Sequence, residues 1–210
     1  QCLELLYDKV EEQKLFFGMM TQAFGVERDV ASFTAMINGC LKRREAEIAN
    51  EYLQQMIDEK LPFDQYCYNT VLNLNAKARR TADARKWFSI MKEQKCNPDV
   101  VTFTSLMDAH ARNEDSVGAV FYFDEMKSAG FRPDRACFQV LLSAHAASRD
   151  AVGASFYLNE LEQHGFHADL RMYTTVARAH GRSYDPRRAE EILQIARSKK
   201  LQVDTTFYNI

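Results

Sequence analysis

The side chains here that could do chemistry recur at a fixed interval. Lys42, Lys77, Arg112 and Arg182 fall on one 35-residue series, with Ala147 in the remaining place. Cations held in register along an extended surface suit the regular charges of a phosphate backbone. Asp29, Asp64, Asp99, Asp134, Asp169 and Asp204 keep the same interval. Such a carboxylate can accept hydrogen bonds from a ligand, or it can cap a helix that follows it. His110, His145 and His180 share a third series. Imidazoles dispersed along an array cannot converge on one ion, so they are expected to pack between neighbouring helices. His164 and His167 have no evident third ligand. No phosphate loop, nucleophile elbow or paired-carboxylate arrangement occurs. The reading is of a protein that is not an enzyme, with no catalytic residue, metal site or cofactor.

The elements that must carry these series are also periodic. An aromatic follows each aspartate four residues later: Phe33, Tyr68, Phe103, Phe138, Tyr173 and Tyr208. Behind it, apolar residues fall at helical spacing, as in Phe103, Leu106, Met107 and His110, or Phe138, Leu141, Leu142 and His145. That is one face of a helix. A second helix is marked by Ala84, Trp87, Phe88 and Met91, and again by Ala119, Tyr122, Phe123 and Met126. Its small alanine allows close approach, and its large residues fill the space between helices. Asp115, Asp150 and Asp185 are placed as N-caps, with Pro186 at a first helical position. Gly25, Gly130 and Gly165 fall where second helices should end, and Pro98 and Pro133 bar their continuation.

Thr34, Asn38 and Lys42 step by four and so share one side of a first helix. A helix pair of this size cannot bury both faces alone. The expected fold is therefore all-α: a right-handed α-solenoid, or α–α superhelix, of stacked helix-turn-helix hairpins. The units run 30–64, 65–99, 100–134, 135–169 and 170–204. A partial unit occupies 1–29, with Phe16, Phe17, Met20 and Phe24 on its second helix, and a further one begins at 205–210. A pattern cut mid-unit at both ends is that of a segment from a longer array.

The totals narrow the function. No apolar run approaches the ~18 residues of a membrane span. Net charge is −2, against the clearly basic balance common in nucleic-acid binders. Cys2, Cys40, Cys67, Cys96 and Cys137 are odd in number and lack C-x-x-C spacing. They read as reduced, packed thiols, not as a metal or disulfide framework.

Among helical arrays, tetratricopeptide repeats run about 34 residues and carry a glycine and a tyrosine in the first helix. The glycine slot here holds Ile37, Leu72, Met107, Leu142 and Ala177, and the tyrosine slot Cys40, Asn75 and three histidines, which disfavours that array. "PDVVTFTSLMDAHAR" with "AVFYFDEMKSAGFRPD" resembles instead the pentatricopeptide repeat family, and "DVASFTAMINGCLKR" and "FDQYCYNTVLNLNAKA" fit it too. Units of equal length resemble the pure 35-residue class.

The resemblance implies binding of single-stranded organellar RNA, one base per unit. It implies that the residue after each aromatic and the last residue of that unit meet the base edge. The first set is Thr34, Asn69, Thr104, Gln139, Thr174 and Asn209. The second is Asp64, Asp99, Asp134, Asp169 and Asp204. In the family Thr with Asp reads guanine and Asn with Asp reads uracil, giving G, U, G, a base left open by Gln139, then G. Tyr66, Val101 and Arg171 take the slots that sandwich bases, whereas Ala31 and Ala136 offer little grip. The expected setting is a mitochondrion or chloroplast, in transcript stability, processing or translation. The near-neutral charge, those two alanines and Gln139 favour an alternative: a scaffold subunit of a large organellar complex such as a ribosome, holding protein or rRNA.

Overall fold

The computed structural model describes residues 29–61, 64–199 and 201. Within this range every aspartate of the 35-residue series opens a helix. Asp29, Asp64, Asp99, Asp134 and Asp169 have extended backbone, and each Oδ1 accepts the amide three residues on, at 2.7–3.0 Å. The helices so capped are α1 (Val30–Arg43), α3 (Gln65–Lys77), α5 (Val100–Arg112), α7 (Arg135–Ala147) and α9 (Leu170–Arg182). Two or three residues later come their partners α2 (Ala46–Asp58), α4 (Thr81–Glu93), α6 (Ser116–Ser128), α8 (Ala151–Gln163) and α10 (Pro186–Ser198). Asp115, Asp150 and Asp185 cap the last three of these, and Pro186 is the first residue of α10. No strand occurs among the described residues.

Both kinds of turn pass through a left-handed residue. Gly130 and Gly165 take φ of 85° and 82° after α6 and α8, where a missing Cβ makes that conformation easy. Lys60 and Lys95 fill the equivalent places at 54° and 57°. Between the helices of each hairpin the residue is never glycine: Arg44, Arg79, Glu114, Arg149 and Tyr184 have φ of 58–62°. The next amide returns to a carbonyl in the last turn of the first helix, as Asp115 N does to His110 O at 3.1 Å and Asp150 N to His145 O at 2.8 Å. That bond satisfies a helix end and holds the strained residue in place.

The hairpins stack in order. Each first helix packs on its own second helix and on the next first helix, and each second helix but the last packs on the first helix that follows. The result is an α-solenoid whose first helices form one continuous row. Ala49, Ala84, Ala119 and Ala154 are fully buried at the close approach within hairpins. Large rings wedge between hairpins. Phe88 meets Phe103 and Tyr122 at 5.7 Å, and Phe123 meets Phe138 at 5.7 Å and Tyr157 at 6.1 Å, all edge-on. Such geometry adds to what burial alone contributes.

The histidine series is tied to the caps. His110 Nδ1 lies 2.7 Å from Asp115 Oδ2, and Asp115 Oδ1 accepts the Gly118 amide at 2.8 Å. His145, Asp150 and Gly153 repeat this at 2.8 Å and 2.8 Å. The imidazoles also pack on Tyr122 and Tyr157 of the same hairpins. They sit between neighbouring helices, as the sequence indicates, and in addition lock each first helix to the cap of the second. In the last hairpin Arg188 replaces the glycine, and His180 stands 3.6 Å from Asp185.

A Cβ on Gly118 would fall 2.0 Å from His110 Nδ1 and 2.4 Å from Asp115 Oδ2. Gly118→Ala should therefore destabilise the chain by about 1–3 kcal/mol, although alanine favours helix by up to about 1 kcal/mol. In a His110→Ala background the same change should cost far less, which urea unfolding of the four-member cycle measures.

The caps also set an acid limit. The Gly118 amide, then His110, holds the Asp115 carboxyl below its ordinary 3.8. The Gly153 amide does the same for Asp150 against burial, helped by His145. A carboxyl lowered on folding stabilises above its unfolded value and loses that contribution as pH falls through the folded one. Asparagine caps a helix as well as aspartate. A chain with Asp115→Asn and Asp150→Asn should thus lose less stability than the wild type as pH falls below about 4, as read by thermal unfolding over an acid pH series.

Candidate nucleic-acid interface

The first helices lie side by side in one row. Between α5 and α7 it opens into a cleft of about 340 Å³. Val101 and Ala136 line it, together with Thr104, Asp134, Asp108 and Val140. An adjoining hollow of about 520 Å³ is lined by Gln139, Ser143, Arg112, Arg79 and again Asp108 and Ala136. Residues expected to sandwich a base, to read its edge and to meet phosphate thus share one continuous concavity.

Each threonine of the edge-reading series bonds back along its own helix. Thr34, Thr104 and Thr174 hydroxyls donate to the carbonyls of Val30, Val100 and Leu170, each at 2.7 Å. With its one proton committed, the hydroxyl offers only lone pairs outward. The Cys67 thiol lies 3.2 Å from Thr34 Oγ1, and the Cys137 thiol 3.4 Å from Thr104 Oγ1. These cysteines are buried, and their amides bond Asp64 and Asp134. Burial pushes both thiols up, so they stay protonated and donate to the threonine oxygens. Thr34 and Thr104 are thereby each linked through one cysteine to the aspartate expected to work with it.

Asn69 meets Asp99 directly. Its Nδ2 lies 3.2 Å from Asp99 Oδ1 and 3.3 Å from Oδ2, and its Oδ1 is 2.7 Å from Thr102 Oγ1. Thr102 also completes a capping box, accepting the Asp99 amide at 3.1 Å. The amide oxygen is thus fixed and one of two Nδ2 hydrogens is engaged. A Thr–Asp pair presents acceptors alone, whereas the Asn–Asp pair presents a donor beside acceptors.

The pair Gln139 and Asp169 is held apart from this scheme. Gln139 is exposed. Asp169 Oδ2 takes Arg135 Nη2 at 2.6 Å. Burial raises the Asp169 carboxyl, but the Met172 amide and Arg135 outweigh it and leave it below its ordinary value. Thr174 is described, whereas Asp204 and Asn209 lie outside the described residues, as do Phe16, Phe17, Met20, Phe24 and Gly25.

The sandwich residues Tyr66, Val101 and Arg171 are all exposed. Tyr66 is anchored: its hydroxyl donates to Asn38 Oδ1 at 2.9 Å, which spans from α3 to α1 and fixes the ring. Lys42, Lys77, Arg112 and Arg182 are exposed at the ends of first helices. Arg112 Nε also pairs with Asp108 at 2.7 Å, one turn back. Sequence reasoning missed Asp108, an acid inside the cleft, and Arg79, a turn residue lining the hollow beside Arg112. Asp108 was visible as a departure from Asn38 and Asn73 in the same slot. Arg79 had no local signal, because its left-handed turn places it there.

Comparison with known proteins agrees with the architecture. A family model described as the PPR repeat family matches residues 63–112 and 98–147, and one described as PPR repeat matches 31–61. No curated protein matches the chain significantly. Among solved structures, the pentatricopeptide repeat protein PPR10 in complex with an 18-nucleotide psaJ RNA element superposes with a TM-score of 0.82 at 18% identity. The match covers 94% of this chain and 28% of PPR10. PPR10 from maize gives 0.71 at 21% identity, over 85% of this chain and 26% of that one. The PPR domain of Arabidopsis thaliana protein-only RNase P 1 in complex with tRNA gives 0.72 at 17% identity, over 85% and 94%. With the matched segments covering more than half of its length, and with this helical stack, the chain belongs to the pentatricopeptide repeat family.

Proposed function

We propose that the chain binds single-stranded RNA along the row of first helices, with one base entering each cleft between hairpins. The observation that carries this reading is the cleft between α5 and α7, which gathers Val101, Thr104, Asp134 and Ala136. The units are those running 30–64, 65–99, 100–134, 135–169 and 170–204. A Thr–Asp pair offers two acceptors, which suits the N1–H and 2-amino donors of guanine. An Asn–Asp pair offers a donor for a uracil carbonyl and an acceptor for its N3–H. The sequence read is G-U-G-N-G. Tyr66, Val101 and Arg171 flank the bases, and Lys42, Lys77, Arg112 and Arg182 meet phosphates. PPR10 and RNase P 1 structures hold RNA and tRNA on the same architecture, which supports an RNA ligand here. The segment acts by binding, with no catalytic step of its own, on transcripts of a mitochondrion or chloroplast.

A second reading, a scaffold subunit holding protein or rRNA in a large organellar particle, is favoured by one feature. Val117 and Phe121 on α6, and Val152 and Phe156 on α8, are 55–79% exposed and 35 residues apart. Their counterparts Ala82 and Lys86 on α4, and Arg187 and Glu191 on α10, make no such stripe. Stable co-migration of the native protein with a large particle, free of any single transcript, selects this alternative.

Selection from a random RNA pool should recover a shared G-U-G-N-G motif; a pool with no common motif overturns the first reading. Asn69→Thr should move the second base from uracil toward guanine by about tenfold in relative affinity, the scale of one good base contact. Affinity should fall with salt at a log–log slope of roughly −3, from four phosphate contacts at about −0.7 each on a single strand. Fluorescence anisotropy over a salt series reads both.

A further inference from the structure

The hairpin opened by α7 differs from its neighbours at two positions. One is Gln139 in place of threonine or asparagine. The other is Arg135, the first residue of α7, where the other first helices begin with Val30, Gln65, Val100 and Leu170. Arg135 reaches across to the start of α9. Its Nη2 lies 2.6 Å from Asp169 Oδ2, and its Nε donates to the His167 carbonyl at 3.3 Å. Asp169 Oδ1 already accepts the Met172 amide at 3.0 Å. Both carboxylate oxygens therefore have donors from the protein. Among the described residues no other aspartate of this series has an ion pair. Asp134, one hairpin earlier, is held only through Oδ1 and lines the open cleft.

We propose that Arg135 is a specificity-determining residue: it withdraws Asp169 from base reading and leaves the hairpin of Gln139 indifferent to which base it receives. The inference rests on the base-reading function proposed above. A guanidinium–carboxylate bond is charge-assisted, and the N–H of a neutral base competes poorly for the same oxygen. What remains at the base edge is Gln139, whose amide carries a donor and an acceptor on a longer, freely rotating arm. Either end can turn toward a base, so it selects none. The array thus reads three bases on one side of a spacer and one on the other, without losing register.

The test uses the 210-residue chain and four RNAs that differ only at N in G-U-G-N-G. The wild type should bind all four within about threefold. Gln139→Thr alone should stay within that spread, because the carboxylate is still held. Gln139→Thr with Arg135→Val, the residue found in the preceding hairpin, should prefer guanine at N by about tenfold. Ratios between RNAs cancel any uniform loss from removing a cation. Arg135→Gln serves as a second variant, and circular dichroism checks that each folds. A wild type that discriminates N by about tenfold or more overturns the proposal. So does Gln139→Thr alone matching the double variant, or a double variant that stays indifferent. Thr104→Asn is the control for the underlying reading and should move the third base from guanine to uracil. If it does not, base reading itself fails and the role of Arg135 goes with it. If it does while the double variant stays indifferent, only the assignment to Arg135 falls.

Discussion

Everything in this chain depends on the wedge of large apolar side chains that joins one hairpin to the next. Two helices of 13 or 14 residues bury one face against each other and leave another facing water. Phe88 closes that second face by inserting between Phe103 and Tyr122, and Phe123 repeats the contact one hairpin on. Because the wedge recurs at 35 residues, it fixes the translation from each first helix to the next. That translation sets the width of the cleft between Val101 and Ala136. A change in wedge size would alter the spacing of every residue series at once, without touching any of them.

In the proposed role, the aspartate series lets a structural requirement and a binding function occupy one side chain. Each described aspartate uses Oδ1 to cap the following first helix, a contribution of about 1 kcal/mol. The cap holds the carboxylate in a fixed orientation, with Oδ2 left over, and Asp134 so held lines the cleft between α5 and α7. What happens to Oδ2 then separates the hairpins: it receives Asn69 at Asp99 and Arg135 at Asp169. Capping and ligand binding are therefore not competing explanations for this series. The first supplies the rigidity that the second needs, since an acceptor that rotates freely discriminates poorly between base edges.

Much of the fold was legible in the sequence because it is built from local, repeated rules. Helical spacing, aspartate caps, buried alanines and Gly130 and Gly165 each act within a few residues, and five copies make chance agreement negligible. The intra-hairpin turns were not legible. Arg44, Arg79, Glu114, Arg149 and Tyr184 adopt a conformation that sequence assigns to glycine or asparagine, and only the returning amide bond holds them there. The link of His110 to Asp115 and Gly118 was present as three residue series in one register. Its meaning required the closed hairpin that lays the imidazole over a missing Cβ. Of the candidate site, the positions facing the cleft were legible through the repeat. The contacts that differentiate them were not, because Arg135 to Asp169 and Tyr66 to Asn38 span hairpins through long side chains whose reach no spacing rule encodes.

The net charge of −2, which weighs against a nucleic-acid binder in a simple tally, takes on a different sense in this architecture. The caps oblige every described hairpin to carry a carboxylate at the start of its first helix, and Asp108 adds another beside Arg112. Against these stand one exposed cation per hairpin in four of five places, with Ala147 as the gap. Such a groove attracts a phosphate backbone weakly, because the capping acids and Asp108 together offset its few cations. In the proposed role, little affinity would come from the backbone alone. The acids become favourable only when a base offers donors to them. A wrong base leaves a carboxylate facing a carbonyl, and that repulsion rejects it more strongly than a missing contact would. A near-neutral groove lined with caps is thus suited to discrimination, and an ion pair such as that of Arg135 with Asp169 is a direct way to switch discrimination off at one hairpin while leaving the cap, the wedge and the register in place.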